Sequence, residues 1–303
     1  MDIRAYTLQT LEQLGQHDPV AYAIPVFIIL ILLELGLDFR EKRQGYVTKD
    51  AWASLAMGAG SVFTNLLMKV LYFFVFSYLH QNFAFFSIPT VWWSWLLLLF
   101  ADDFSFYWHH RLSHSIRLLW AAHSNHHSST CYNLTTALRQ SWTEQIYKYI
   151  FWLWLPLIGF APLQIFSMIS VSLIYQFFLH TETVGKLGFW EWFMNTPSHH
   201  RVHHATNVQY LDKNHAGIFI VWDRLFGTFV AEDTSDKPVY GLTENINTFN
   251  PLRIAVHEYQ KIWQDFRKAP TRKAKIGYLL NPPGWRHDGT GKTAKELQNP
   301  THN

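Results

Sequence analysis

Cysteine is nearly absent from this 303-residue chain: only Cys131 is present. One thiol excludes a disulfide framework and any metal site built on cysteine sulfur. Charge is also scarce, with 16% charged residues and a formal net charge of +3. No compact Lys/Arg cluster stands out, so nucleic acid is not expected as a partner. The first 18 residues lack a basic start, an apolar run and a small-residue cleavage site, so no cleaved leader is expected. No internal repeat with a period of about 20–50 residues is visible.

Aromatic and apolar residues are plentiful. Aromatics make up 17%, with 14 Trp, a level that suits a chain seated at membrane interfaces. Residues 19–180 hold the long apolar stretches, whereas 181–303 read as a soluble globule with a polar end. Val20–Leu37 is just long enough to cross a bilayer. Glu34 near its end is expected to reach headgroups. Ala51–Leu79 is a second span, interrupted by Lys69, with Gly58 and Gly60 as places to bend. Lys69 reads as a snorkelling or kink residue. Val91–Trp108 is a third span. Residues 145–180, broken by Pro156, Gly159 and Pro162, predict a helical hairpin with short arms. Residues 187–195, with Trp190, Trp192 and Phe193, are expected to lie along the interface.

Loop 38–50 carries Arg40, Lys42, Arg43 and Lys49, while the N-terminal segment sets Arg4 against Asp2, Glu12 and Asp18. The positive-inside rule places that loop in the cytosol. The third span then returns to the cytosol near His110, and the hairpin starts and ends on that side.

The strongest signal is histidine. Ten of the 17 histidines fall in windows 109–127 and 199–204. His110 and His114 are four apart. His123, His126 and His127 follow an i, i+3, i+4 spacing, repeated by His200, His203 and His204. Residues three and four apart share a helical face, so each group aims its imidazoles at one point. His180 ends the hairpin on the same side and completes a set of nine. A tetrahedral zinc takes about four ligands. Nine imidazoles fit two metals with open positions, and iron suits nitrogen-ligated oxygen chemistry.

His109 and His199 adjoin ligands but point off the shared face, which gives them supporting roles. Asp103 is the candidate acceptor for a ligand's N–H, with Asp102 in competition. Tyr132, Asn133 and Arg139 follow the second cluster and are candidates for the substrate headgroup. His17, His80, His257, His287 and His302 read as ordinary polar side chains, and His215 is left open.

The motifs HRLSH (110–114), HSNHH (123–127) and HRVHH (200–204) resemble the fatty acid hydroxylase / sterol desaturase superfamily. The stretches AAHSNHHSSTCYNLTTALRQS (121–141), NTPSHHRVHH (195–204) and DKNHAGIFIVWDRLFGTF (212–229) are most similar to its ether-lipid-cleaving branch. The resemblance covers roughly 90–265. It differs at Ser115, where Glu is expected, and at His215, where Tyr is usual.

The resemblance implies an all-α integral membrane protein with about four transmembrane or re-entrant helices. A cytosolic helical cap would hold a histidine-rich di-metal site. Residues 1–90 would be N-terminal membrane helices, 91–265 a di-iron domain, and 266–303 a polar tail. It implies two iron ions, O₂, and an external electron donor, either a donor protein or a reduced pterin such as tetrahydrobiopterin. The implied reaction hydroxylates a lipid at the carbon beside an ether oxygen. The weighed alternatives are hydroxylation or desaturation of sterols, fatty acyl chains or carotenoids, and a membrane metal transporter.

Overall fold

The computed structural model describes residues 18–299; His17, His302, Asp2, Arg4, Glu12 and the start of the chain, where a leader would lie, fall outside them. Among the described residues the fold is helical, and its only β-pairing is an isolated bridge between Ala205 and Tyr240.

Helix α1 (Pro19–Glu41) opens on a proline at its first turn, with the Asp18 carboxylate accepting the Val20 N–H at 3.1 Å. Pro fits there because its missing N–H would be unpaired anyway, and the Asp side chain satisfies a neighbouring donor. Ile24, Ile28, Ile29, Leu32 and Leu33 are all exposed. A helix this apolar, with so little of it covered, is long enough to cross a membrane. Helix α2 (Thr48–Phe83) is likewise long and apolar enough to cross a membrane.

The expectations for Glu34 and Lys69 change here. Helix α2 is continuous through Gly58 and Gly60. Both glycines are contact points. A Cβ on Gly58 would lie 2.8 Å from the Leu138 carbonyl, and one on Gly60 would strike the Trp142 indole. Glu34 turns inward and accepts from Tyr46 Oη at 2.5 Å, Leu134 N at 2.8 Å and Thr181 Oγ1. Lys69 is buried and pairs with Asp18 at 2.6 Å, so it does not snorkel. In each case the surrounding bundle supplies partners that local sequence cannot reveal. The α2 contact gives a testable result. Gly60→Val should overpack the Trp142 seam and destabilise by about 1–3 kcal/mol, read as a lower thermal midpoint in detergent.

Helix α3 (Trp92–Ser115) runs from the third apolar run straight through the first histidine motif, and α4 (Arg117–His127) carries the second. The hairpin forms with one regular arm. Its first arm is α5 (Glu144–Tyr147), a 3₁₀ stretch over Lys148–Trp152, and α6 (Trp154–Ile158). Its second is α7 (Pro162–Phe177). The turn sits at Gly159 with φ of 122°, a conformation that favours glycine. A side chain there would run into the Phe86 carbonyl. The core joins α2, α3 and both arms through Phe76, Leu98, Trp152, Ile165 and Phe166. Phe27 of α1 stacks on Phe177 of α7 at 3.9 Å.

Beyond the apolar helices lie α8 (Pro197–His203), α9 (Val221–Phe226), α10 (Pro251–Lys268), α11 (Arg272–Leu280) and α12 (Ala294–Gln298). Residues 272–298, expected as an exposed tail, are folded onto this layer. Ala269, Ala274 and Tyr278 form a small core with Trp285. The Asn281 carbonyl accepts from Arg117 N at 3.1 Å, and Gln298 Nε2 donates to the Leu211 carbonyl at 2.8 Å. The segment's polar composition hides an apolar i, i+4 pair, Ala274 and Tyr278, behind a Thr271 cap.

Candidate metal centre

Helix α3 presents His110 and His114 one turn apart, α4 presents His123, His126 and His127, and α8 with its C-cap presents His200, His203 and His204. The turn after α7 adds His180. All nine are buried and fall into two groups. His110, His114, His123, His127 and His203 form one, and His126, His180, His200 and His204 the other; within each, the ligand atoms lie within 4.8 Å of one another. The groups adjoin, because His127 and His204 stack with ring centroids 4.3 Å apart.

The nitrogens are arranged as metal ligands would be. His110 Nε2 and His123 Nε2 are 3.0 Å apart, as are His180 Nε2 and His200 Nε2; His126 Nε2 and His180 Nε2 are 3.1 Å apart. A neutral imidazole carries one N–H, so such contacts cannot satisfy every nitrogen. His114 Nε2, His203 Nε2 and His204 Nε2 are buried with no hydrogen-bond partner. Leaving them bare costs free energy that a cation would recover. The opposite ring nitrogens are held from behind. His110 Nδ1 faces the His215 carbonyl at 2.7 Å, His180 Nδ1 the Gln176 carbonyl at 2.8 Å, and His203 Nδ1 the Lys213 carbonyl at 2.9 Å. A carbonyl only accepts, so it fixes the proton on Nδ1 and turns the Nε2 lone pair inward.

Burial, reinforced by neighbouring histidines, holds His127, His200, His203 and His204 well below the ordinary imidazole range. They are therefore neutral and ready to ligate at neutral pH. The sign for stability follows. Below about pH 6.5 the unfolded chain takes up protons that the folded, metal-free chain refuses. Metal-free protein should lose thermal stability steadily as pH falls from 6.5, and a midpoint flat between pH 7 and 5 would contradict this.

The remaining sequence candidates separate. His109 is buried beside Glu144, with Nε2 3.3 Å from Oε1. His199 packs its ring against Phe229 at 5.3 Å. Asp103 does not accept from an imidazole. It accepts Ile218 N at 2.6 Å, Phe219 N at 2.8 Å and Trp222 Nε1 at 3.0 Å, so it anchors a strap of chain. Asp102 accepts Trp152 Nε1 at 2.7 Å.

Tyr132, Asn133 and Arg139 each bond to other protein groups. Tyr132 Oη donates to the Leu179 carbonyl at 2.9 Å, and Asn133 Nδ2 donates to the Gly45 carbonyl at 2.8 Å. Arg139 pairs with Asp50 at 3.0 Å. None of the three lines the cavity beside the metal ligands.

Asp212, Asp223 and Glu144 are contributors to which the sequence assigned no role. His215, left open by the sequence, is buried with ring centroids 5.0 Å from His114 and 5.7 Å from His203. Its backbone N–H and that of Ala216 are held by Asp223 at 2.8 Å each. Asp212 Oδ1 lies 3.2 Å from His114 Nδ1. Ser115 donates to the Arg111 carbonyl at 2.8 Å. A cavity of about 360 Å³ opens next to His110, His123, His126, His180 and His200. Leu55, Val62, Ile169 and Leu173 line its apolar part, and Glu144, Gln145, Lys148 and Asp102 its polar part.

Residues 95–228 match the family model described as fatty acid hydroxylase. The chain is 40% identical over 292 residues to the alkylglycerol monooxygenase of Homo sapiens, covering 94% of this chain and 63% of that protein. It is 41% identical over 281 residues to the alkylglycerol monooxygenase of Danio rerio, covering 91% of this chain and 61% of that protein. It is 29% identical over 153 residues to an ornithine lipid hydroxylase of Rhizobium tropici, covering 50% of this chain and 46% of that protein. No solved structure matches the chain. It thus spans less than two thirds of the length of these alkylglycerol monooxygenases. The histidine-bearing residues 95–228 are thus similar to fatty acid hydroxylases, in a chain similar to alkylglycerol monooxygenases over most of its length.

Proposed function

We propose that this chain is a membrane-bound di-iron monooxygenase that hydroxylates a lipid, with the ether-linked carbon of an alkylglycerol as the preferred target. The observation that carries the reading is the placement of two converging groups of buried imidazoles on the wall of a largely apolar cavity. Similarity to alkylglycerol monooxygenases supports the substrate class.

The fit to metal rests on the unpaired Nε2 atoms and on the nitrogens that face one another. His110, His114, His123, His127 and His203 would hold one ion, and His126, His180, His200 and His204 the other. When bound, two iron ions supply activation of O₂. The protein's own task is to fix the imidazoles, exclude bulk water and present the chain. The apolar wall binds the alkyl chain and leaves the carbon beside the ether oxygen at the histidine end. The net change inserts one oxygen atom into a C–H bond and reduces the other to water. It consumes two electrons and two protons from an external donor, for which a reduced pterin or a donor protein is the candidate. The hemiacetal so formed collapses to a fatty aldehyde and a glycerol derivative.

The membrane reading follows α1 and α2, whose apolar surfaces lack protein cover. Helix α3 and the hairpin complete a bundle of about four transmembrane or re-entrant helices. The basic loop 38–50 orients the histidine layer toward the cytosol. Residues 1–90 serve as membrane helices and 91–265 as the oxygenase domain.

The test is aerobic turnover with an alkylglycerol, with and without reduced pterin, while fatty aldehyde is followed. Purified protein is expected to carry about two irons. Absence of aldehyde from every ether lipid, with hydroxylated or desaturated sterol, fatty acyl or carotenoid product instead, would sink the substrate assignment. Weak, exchangeable zinc in place of iron would favour the transporter alternative.

A further inference from the structure

His123 lacks the backbone-carbonyl support that four other ligand imidazoles have. Those four, His110, His126, His180 and His203, face backbone carbonyls through Nδ1 at 2.7, 3.3, 2.8 and 2.9 Å. His123 Nδ1 has no hydrogen-bond partner. The carboxylate facing it is Glu144, whose Oε2 lies 3.6 Å away and is itself buried without a partner. The other oxygen, Oε1, lies 3.3 Å from His109 Nε2, which also lacks a hydrogen bond. A buried carboxylate thus faces two buried, unsatisfied imidazole nitrogens. Each of the three would be costly alone.

Glu144 is held in place from two sides. Just before it, Trp142 Nε1 donates to the Met57 carbonyl of α2 at 2.9 Å, and Thr143 Oγ1 bonds Tyr259 Oη of α10 at 2.8 Å. On the far side of His123, Nε2 converges with His110 Nε2 at 3.0 Å and His127 Nε2 at 3.2 Å.

We infer that Glu144 is a positioning residue for the metal centre: its carboxylate accepts the Nδ1 proton of His123 and strengthens that imidazole as a ligand, with His109 bracing the second oxygen. The inference rests on the di-metal reading. A carboxylate behind a ligating histidine fixes its tautomer and raises its basicity. Of the other carboxylates near the centre, Asp103 and Asp223 are occupied by backbone N–H groups, Asp102 accepts from Trp152 Nε1, and Asp212 faces His114; the one that faces His123 is Glu144.

The test is cobalt(II) titration of full-length wild type and Glu144→Gln, reading the dissociation constant of each equivalent and the visible cobalt absorption. Glu144→Gln keeps the shape and removes the charge. The expected result is about a 10–100-fold weaker affinity for one of two equivalents, with a shifted cobalt band and the second equivalent unchanged. Wild-type affinity for both equivalents with an unaltered spectrum, in protein that is folded by circular dichroism, would overturn the inference. ¹⁵N-histidine NMR of zinc-loaded wild type reads the same contact without any variant. A strongly downfield Nδ1 proton on His123 supports the carboxylate bond, and an ordinary imidazole shift refutes it. Two equivalents bound by the wild type keep the di-metal reading intact, however the variant behaves.

Discussion

Replacing His203 by alanine should abolish aldehyde release and strip metal from the protein. Its ring lies 4.3 Å from His110, 4.8 Å from His114 and 4.8 Å from His127, and its Nε2 is buried without a partner. Removing an outer support from a metal ligand costs about 10–100-fold. Loss of a ligand from the middle of a group should exceed that range in both iron content and turnover. His287→Ala is the matching control. His287 bonds Tyr278 Oη at 2.8 Å, in the small core of the C-terminal segment. That variant is expected to keep its iron. Full iron content in His203→Ala would show that His203 does not hold metal in its group.

Arg139→Ala should produce the largest loss of stability. The guanidinium is almost wholly buried and pairs with Asp50 at 3.0 Å, while Nε donates to Ser128 Oγ at 2.9 Å. This joins α2 to the chain that follows the second histidine motif. Removing one partner of a buried ion pair leaves the other charge unsolvated, at a cost of about 3–5 kcal/mol. A sharp fall in the thermal midpoint is expected, and fully folded enzyme should keep its KM for lipid. Because a buried pair can often be replaced by apolar side chains at little cost, Asp50→Leu with Arg139→Met should recover much of the loss. A raised KM in stable Arg139→Ala protein would instead restore Arg139 to the substrate site.

These two residues show what can and cannot be read from sequence. The histidine groups were legible because helical periodicity brings residues three and four apart onto one face, and imidazole at that spacing has few uses besides metal. Helices α1 to α3 were legible from their apolar runs, and α1 and α2 are long and apolar enough to cross a membrane. The first hairpin arm was less so, because its division into α5, a 3₁₀ stretch and α6 depends on how Trp152 and Leu155 pack into the core. The pairing of Arg139 was not legible, because a polar residue beside a motif looks the same whether it meets a ligand or Asp50, 89 positions earlier in the chain. Asp103 was located as an important acid but given the wrong partner. Its true partners come from residues 218, 219 and 222, and local pattern carries no information about contacts that distant. Glu144 had no signal of its own, since it sits outside every motif.

Helix α3 carries His110 near one end and, two turns earlier, the carboxylate of Asp103 that grips Ile218 and Phe219. The carbonyl of His215, just upstream in that gripped strap, in turn backs His110. Ligand and backstop therefore ride on the same rod. Any tilt of that rod moves both in step, and the orientation of the His110 ring is preserved.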